Sequence, residues 1–259
     1  MRSKPTDYLL TQDDKMKAVL MVGGKGTRVR PFSYVLPKPM LPIGERPVLE
    51  LLLRQLSKNG FDEVILSLGY QADIIRSFFG DGSRFGVKLV YSEEKERLGT
   101  AGHLSLVKDK LKDTFLVMNG DVLAGIDFKD LMQKHKQSKA AMTVIFKKLI
   151  TVLEYGVPEI DGEGRIVGYT ERPVRESTAS VGMYLMEPKV LDYIEYNKFL
   201  DMPDLIKKLI ASKEKVYPYF LNGTWLHLSR KEDFDKANEN WKTLAKDFGL
   251  EEFANGSGL

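Results

Sequence analysis

The apolar run Ala18-Val19-Leu20-Met21-Val22 leads straight into Gly23-Gly24-Lys25-Gly26-Thr27-Arg28, with Pro37-Lys38-Pro39-Met40 close behind. The run reads as a buried strand, and the glycines after it make a loop with almost no side chains. Such a loop lets backbone N–H groups close on an anion, because glycine permits the close approach and the positive backbone angles required. Arg28 and Lys38 add charge at the same end of the strand. The layout suits a triphosphate held by backbone, one guanidinium and one ammonium.

Two common phosphate motifs are absent. The dinucleotide fingerprint needs a third glycine where Val29 stands, and no Gly-Lys-Ser/Thr occurs for a Walker loop. A dehydrogenase is disfavoured on that ground. The 259 residues suffice for one domain with a substantial core, and the 43% apolar fraction reads as a soluble globular protein. With 39 basic and 36 acidic residues the net charge is +3, too balanced for a nucleic-acid binder; a local basic pocket is expected instead. There is no cysteine, so disulfides and thiolate metal sites are excluded. No apolar stretch reaches bilayer length and residues 1–15 are polar and mixed in charge, so no membrane association and a cytoplasmic location are expected.

Short apolar strands alternate with amphipathic helices, the pattern of an α/β sandwich. Strands are expected at 17–22, 64–68, 87–91, 115–119 and 141–147, and helices at 47–59, 73–79, 100–111 and 128–137. In the second half shorter strands are expected at 156–161, 164–170, 181–186, 216–220 and 225–228. Helices are expected at 189–195 and 203–212, with one long charged helix from Lys231 toward Phe248. Asp161-Gly162-Glu163-Gly164 is a hairpin signal. Residues 1–15 and the tail 250–259 read as peripheral to one domain over 16–249, and no heptad seam indicates how copies would associate, so a homo-oligomer stays open.

Further motifs carry chemistry. Asn119-Gly120-Asp121 closes an apolar strand, the edge where ligands bind in open α/β sheets. A carboxylate there can hold Mg²⁺ against phosphate oxygens, although an Asp after a strand equally suits a turn or a helix cap. Leu98-Gly99-Thr100-Ala101-Gly102 opens a helix with small residues, which lets a flat ring or a phosphate approach backbone amides; an ordinary helix entry capped by Thr100 is the plainer reading. Glu93, Glu94 and Glu96 just before it read as solvated, with one of them orienting the loop.

The ordered set G-G-x-G-T-R-x-x-P, K-P-M-L-P, L-G-T-A-G and N-G-D, from about Met16 to Trp241, resembles the sugar-1-phosphate nucleotidyltransferases. Within that family it is similar to the mannose- and heptose-phosphate guanylyltransferase branch, notably at Asp201-Met202-Pro203-Asp204. The resemblance implies a three-layer α/β/α sandwich around a mixed, mostly parallel Rossmann-like sheet. It implies a nucleotide part at about 16–140 and a sugar part at about 141–230. The implied reaction converts a nucleoside triphosphate and a sugar 1-phosphate to a nucleotide sugar and pyrophosphate, a soluble precursor for surface glycans.

Implied roles follow residue by residue. Arg28 and Lys38 act on the phosphates, with Gly23, Gly24, Gly26 and Thr27 around them. Gly99, Thr100 and Gly102 approach the nucleobase and ribose. Asp121 holds the metal, Mg²⁺ with Mn²⁺ as the alternative. Gly156, Glu171, Arg172 and Ser180 meet the sugar phosphate. Arg172 stands where relatives have Lys, and Ser180 where they have Asn, which changes reach and geometry.

In Trp225-Leu226-His227-Leu228, His227 replaces the second metal-binding Asp. Mg²⁺ prefers oxygen, whereas Mn²⁺ accepts imidazole more readily. Three readings follow: metal held by Asp121, phosphates and water alone, which is the one adopted; His227 as a ligand that shifts metal preference; or a binding relative without catalysis. An amino-alcohol-phosphate cytidylyltransferase is the other alternative, with Tyr155, Tyr169 and Tyr184 as a conceivable aromatic cage. His103 and His135 are assigned no role.

Overall fold

The computed structural model describes residues 16–254. In chain order the strands are β1 (Met16–Met21), β2 (Pro42–Ile43), β3 (Arg46–Pro47), β4 (Phe61–Leu68), β5 (Lys88–Glu93), β6 (Phe115–Asn119), β7 (Val122–Ala124), β8 (Met142–Val152), β9 (Val157–Ile160), β10 (Ile166–Thr170), β11 (Val174–Met186), β12 (Val216–Phe220) and β13 (Trp225–His227). The α-helices are α1 (Val48–Lys58), α2 (Ala72–Phe79), α3 (Gly99–Gly102), α4 (Phe128–Ser138), α5 (Met202–Ala211), α6 (Lys231–Glu239) and α7 (Trp241–Asp247).

Seven strands form the central sheet in the order β12-β8-β11-β6-β1-β4-β5. β6, β1, β4 and β5 run parallel, as do β12 and β8; β11 runs against both its neighbours. This is the mixed, mostly parallel sheet expected. Successive side chains of a strand point to opposite faces, and here both faces are covered. In β1, Ala18 and Leu20 join one core, with α1 and α4 packed on it, while Val19 joins the other, with α3 and α5. β6 divides likewise: Leu116 and Met118 on one side, Phe115 and Val117 on the other. The three layers follow from that alternation. α1 owes its place to Leu49, Leu52, Leu53 and Leu56, all at most 1% exposed. Each such buried leucine contributes about 1.5–3 kcal/mol relative to exposure.

The structure departs from the expected elements where local signals compete. The helix expected over 100–111 is one α-turn followed by a 3-10 stretch, His103–Lys110. Ser105 Oγ donates to the Gly102 carbonyl at 2.7 Å and draws on an acceptor the regular helix needs. The segment expected as a helix at 189–195 is also 3-10, Pro188–Tyr193. The long C-terminal helix breaks at Asn240 into α6 and α7, and the break turns Trp241 into the core beside Phe248. Strands 141–147 and 181–186 continue as β8 and β11 into an exposed two-stranded arm, paired from Lys147↔Ala179 out to Val152↔Val174. The hairpin at Asp161 forms as expected between β9 and β10, its carboxylate accepting the N–H groups of Glu163 and Arg165. Nor does the chain leave the body at Gly249: Leu250 is fully buried, and Arg46, Arg54 and Lys58 stack on the Phe253 ring. The leader 1–15 and residues 255–259 lie outside the described residues.

Candidate active site

A cleft of about 1020 Å³ opens at the carboxyl ends of β1, β4, β5 and β6. Chain order reverses there: from β1 the sheet builds to β4 and β5 on one side, and β6 lies on the other. Such a switch point leaves a crevice for a ligand because the loops after adjacent strands depart in opposite directions. The cleft is lined by Gly23, Gly24, Gly26, Thr27, Arg28, Lys38, Gly99, Thr100 and Asp121, so nine residues singled out in the sequence meet in one place.

Backbone packing holds the glycine loop. A Cβ on Gly23 would stand 2.9 Å from the Gly69 nitrogen, and one on Gly69 the same distance from the Gly23 carbonyl, so the loops after β1 and β4 touch through backbone alone. The Tyr70 N–H donates to that carbonyl at 3.1 Å. Ser33 Oγ ties down the Gly26 carbonyl at 2.8 Å. Five cations and four acids line the cleft, and two of the acids are already paired: Glu93 with Arg76 and Asp121 with Lys38. Lys25, Arg28 and Lys95 form no ion pair among the described residues and present unneutralised charge.

Lys38 and Asp121 are the tightest charged contact in the cleft, Nζ to Oδ2 at 2.5 Å, though 83 positions apart in sequence. His227 lies near the same oxygen, with Nε2 at 3.8 Å. It arrives there because β13 pairs with β7, setting His227 opposite Val122, and because the Leu228 N–H donates to the Asp121 carbonyl. Its ring stacks on Trp225, with centroids 5.8 Å apart. Beyond it Ser229 reaches the cleft wall. Burial alone would push the neighbouring Asp233 carboxyl up, but bonds from the Arg230 and Ser229 N–H groups and the Ser229 hydroxyl outweigh it and hold the group below its usual range.

Among the described residues no three His, Cys, Asp or Glu side chains gather as a metal cage. Asp121 is a fitting hard-cation ligand and His227 a nitrogen donor beside it. A cation here would need substrate phosphates and water to complete its shell.

The remaining candidate residues lie outside this lining. Gly102 donates its N–H to the Leu200 carbonyl, and a Cβ there would collide with the Lys198 carbonyl, so close packing against that segment also requires a glycine at this position. Gly156 is covered by Tyr169, whose hydroxyl occupies the space a side chain would take. Glu171 and the left-handed Arg172 are exposed at the turn from β10 to β11. Ser180 stands on β11 with its hydroxyl 3.4 Å from the Tyr184 hydroxyl. Tyr184 is itself in the core while Tyr155 and Tyr169 are exposed, so the three tyrosines do not converge on a cage.

Sequence reasoning missed Gly69, Tyr70 and Ser229 as cleft residues. They carry no motif of their own; strand order alone brings them in. Of the three glutamates read as solvated, Glu94 does orient the loop, accepting the Leu98 N–H at 3.0 Å, and burial pushes its carboxyl up. Thr100, for which an ordinary cap of its own helix is the plainer alternative, accepts instead the first N–H of α5.

Comparison with known proteins agrees with this geometry. The model of the "Nucleotidyl transferase" family matches residues 17–243. The chain belongs to the nucleotidyl transferase family. A UTP--glucose-1-phosphate uridylyltransferase of Synechocystis is 36% identical over 241 residues, covering 86% of this chain and 62% of that protein. A mannose-1-phosphate guanylyltransferase of Mycobacterium tuberculosis is 34% identical over 225 residues, covering 85% and 63%. The chain thus spans about three fifths of the length of these nucleotidyl transferases. Among solved structures, HddC from Yersinia pseudotuberculosis aligns with a TM-score of 0.70 at 25% identity, over 88% of this chain and all of that one. A putative glucose-1-phosphate thymidylyltransferase from Bacillus anthracis shares the fold with a TM-score of 0.70 at 24% identity, over 90% and 99%. No helix among the described residues is long and apolar enough to cross a membrane.

Proposed function

We propose that this nucleotidyl transferase joins a nucleoside triphosphate to a sugar 1-phosphate, releasing pyrophosphate. The observation that carries the reading is the convergence of the glycine loop, Arg28, Lys38 and Asp121 on one cleft at the switch point. A sugar-phosphate oxygen attacks the α-phosphorus in line; a new P–O bond forms as the bond from that phosphorus to the bridging oxygen breaks, and the electron pair leaves with pyrophosphate. The attacking phosphate is already ionised at neutral pH, so no general base is required. The work is to hold two anions together and stabilise charge at the reacting phosphorus.

Arg28 and the loop hold the β and γ phosphates, and Lys38 bridges the reacting ones. Asp121 anchors the divalent cation with His227 beside it; when bound, that cation neutralises charge on the α-phosphate. Gly99 and Thr100 face the nucleoside. On the arm, Arg172 meets the incoming phosphate, with Glu171, Gly156 and Ser180 toward the sugar. Of the nucleotides, GTP with a mannose-, heptose- or glucosamine-type 1-phosphate is the proposed pair. The Mycobacterium relative's guanylyl name supports that choice, while the Synechocystis relative's name makes UTP with glucose 1-phosphate its first rival.

The test is a matrix of four triphosphates against mannose-, glucose-, glucosamine- and heptose-1-phosphate, read by pyrophosphate release with Mg²⁺ and with Mn²⁺. Release in one row and column fixes the pair. Nucleotide binding without release in any cell would replace catalysis with a binding role.

A further inference from the structure

Asp201 precedes α5, the position whose side chain ordinarily accepts free N–H groups of the helix's own first turn. Here it caps nothing in that helix. Its Oδ1 accepts instead from the Thr100 N–H at 3.0 Å and the Thr100 hydroxyl at 3.2 Å. In return the Met202 N–H, first in the helix, donates to Thr100 Oγ1 at 2.8 Å. Two segments 101 positions apart have exchanged caps.

The backbone closes the same joint. Leu200 donates to the Leu98 carbonyl at 2.9 Å, and its own carbonyl accepts from Ala101 and Gly102 at 2.9 and 3.0 Å. Gly99 has φ +75, and a Cβ there would stand 2.6 Å from the Leu200 oxygen and 2.9 Å from Asp201 Oδ1, so the segments meet as closely as glycine allows. Gly99 and Thr100 line the cleft; Leu200 and Asp201 stand behind them. A carboxylate accepting two donors from one residue is a stronger and more directional tie than a neutral bond, so a local cap has been given up to brace the cleft wall.

We propose that Asp201 is a positioning residue that braces the Gly99–Thr100 wall and thereby sets how tightly the cleft holds the nucleoside triphosphate, taking no part in transfer. This rests on the transferase reading of the cleft. The wall follows the carboxyl end of β5, on the opposite side of β1 from β6 and Asp121, so loosening it acts on nucleotide binding and leaves the reacting phosphates in place.

The experiment uses the full chain with Asp201→Ala, Asp201→Asn, Thr100→Val and the Ala/Val double variant. Asp201→Ala is expected to raise KM for the triphosphate about tenfold with kcat within about twofold, the split that marks lost uniform binding. Asp201→Asn keeps an acceptor oxygen and is expected to stay within about threefold of wild type. In the Thr100→Val background Asp201→Ala is expected to cost less than it does in wild type, because the hydroxyl tie is already gone while the residue-100 N–H tie remains to be lost. Amide exchange at residues 98–102 is expected to accelerate in Asp201→Ala while β1 stays protected. Unchanged exchange at 98–102, equal effects of Ala and Asn, additive effects in the double variant, or kcat falling with KM held would each overturn the proposal. Faster exchange in Asp201→Ala, with wild type making no nucleotide sugar, would keep the brace and remove the transferase reading.

Discussion

His103 gives a test of the core beneath the cleft that can be worked through in numbers. Its ring is fully buried, neither nitrogen has a hydrogen-bond partner, and the nearest acid is Glu94, with Oε2 3.7 Å from Nδ1. Burial pushes the imidazole down to about 4. The unfolded chain takes up its proton near 6.5. Between those values the unfolded state binds a proton that the folded state refuses, so stability rises with pH across the window and is lost as pH falls through it. At about 1.4 kcal/mol per unit, acidification from pH 7 to 4.5 removes about 2–3 kcal/mol through this residue alone. Burial raises the Glu94 carboxyl, which works in the opposite direction, so the informative quantity is the difference between wild type and His103→Leu. Urea unfolding followed by the fluorescence of Trp225 and Trp241 at several pH values would supply it. The variant's stability relative to wild type is expected to grow by about 2–3 kcal/mol from pH 7 to 4.5. Parallel curves would show that the imidazole titrates normally in the fold and refute the reasoning.

Three further outcomes are expected. Arg28→Ala, Lys38→Ala and Asp121→Ala should each lower the rate of pyrophosphate release about a hundredfold or more, the scale of losing one preorganised charge contact; near-normal rates in all three would remove the assigned roles. His227→Asp, which sets a second carboxylate beside Asp121, should raise the Mg²⁺-to-Mn²⁺ rate ratio; an unchanged ratio would take His227 out of the metal's surroundings. Gly182→Ala forces a Cβ to 2.5 Å from the Asn119 side chain at φ +78. It should cost about 1–2 kcal/mol from backbone strain alone, seen as a Tm several degrees lower; a Tm within one degree of wild type would mean that β11 adjusts without cost.

The elements legible in the sequence are those whose local pattern and final environment agree. Ala18–Val22 and Phe115–Met118 are continuous apolar runs because both their faces are buried, and α1 repeats its leucines at helical spacing. The arm of β8 and β11 leaves no such pattern because it has no buried face: Lys147, Lys148, Arg175 and Glu176 interrupt any alternation, and only cross-strand pairing extends it. β7 escaped notice because three residues after Asp121 hold no period, and it exists only as the partner of β13. In the site, the glycine loop, Lys38 and Asp121 could be read because each sits in a compact motif. The Thr100–Asp201 exchange could not, since neither residue signals the other across the fold.

The arm offers a practical opening. From Lys147 and Ala179 outward, β8 and β11 are strand-paired only with each other, and neither core reaches past Phe146. A donor arm from another nucleotidyl transferase, spliced at that rung, has one register to match and no interior to repack. On the proposed function, in which the arm meets the acceptor sugar, such a graft exchanges acceptor preference as a cassette, provided it keeps the Gly182 kink that lets the transplanted strand pass over Asn119.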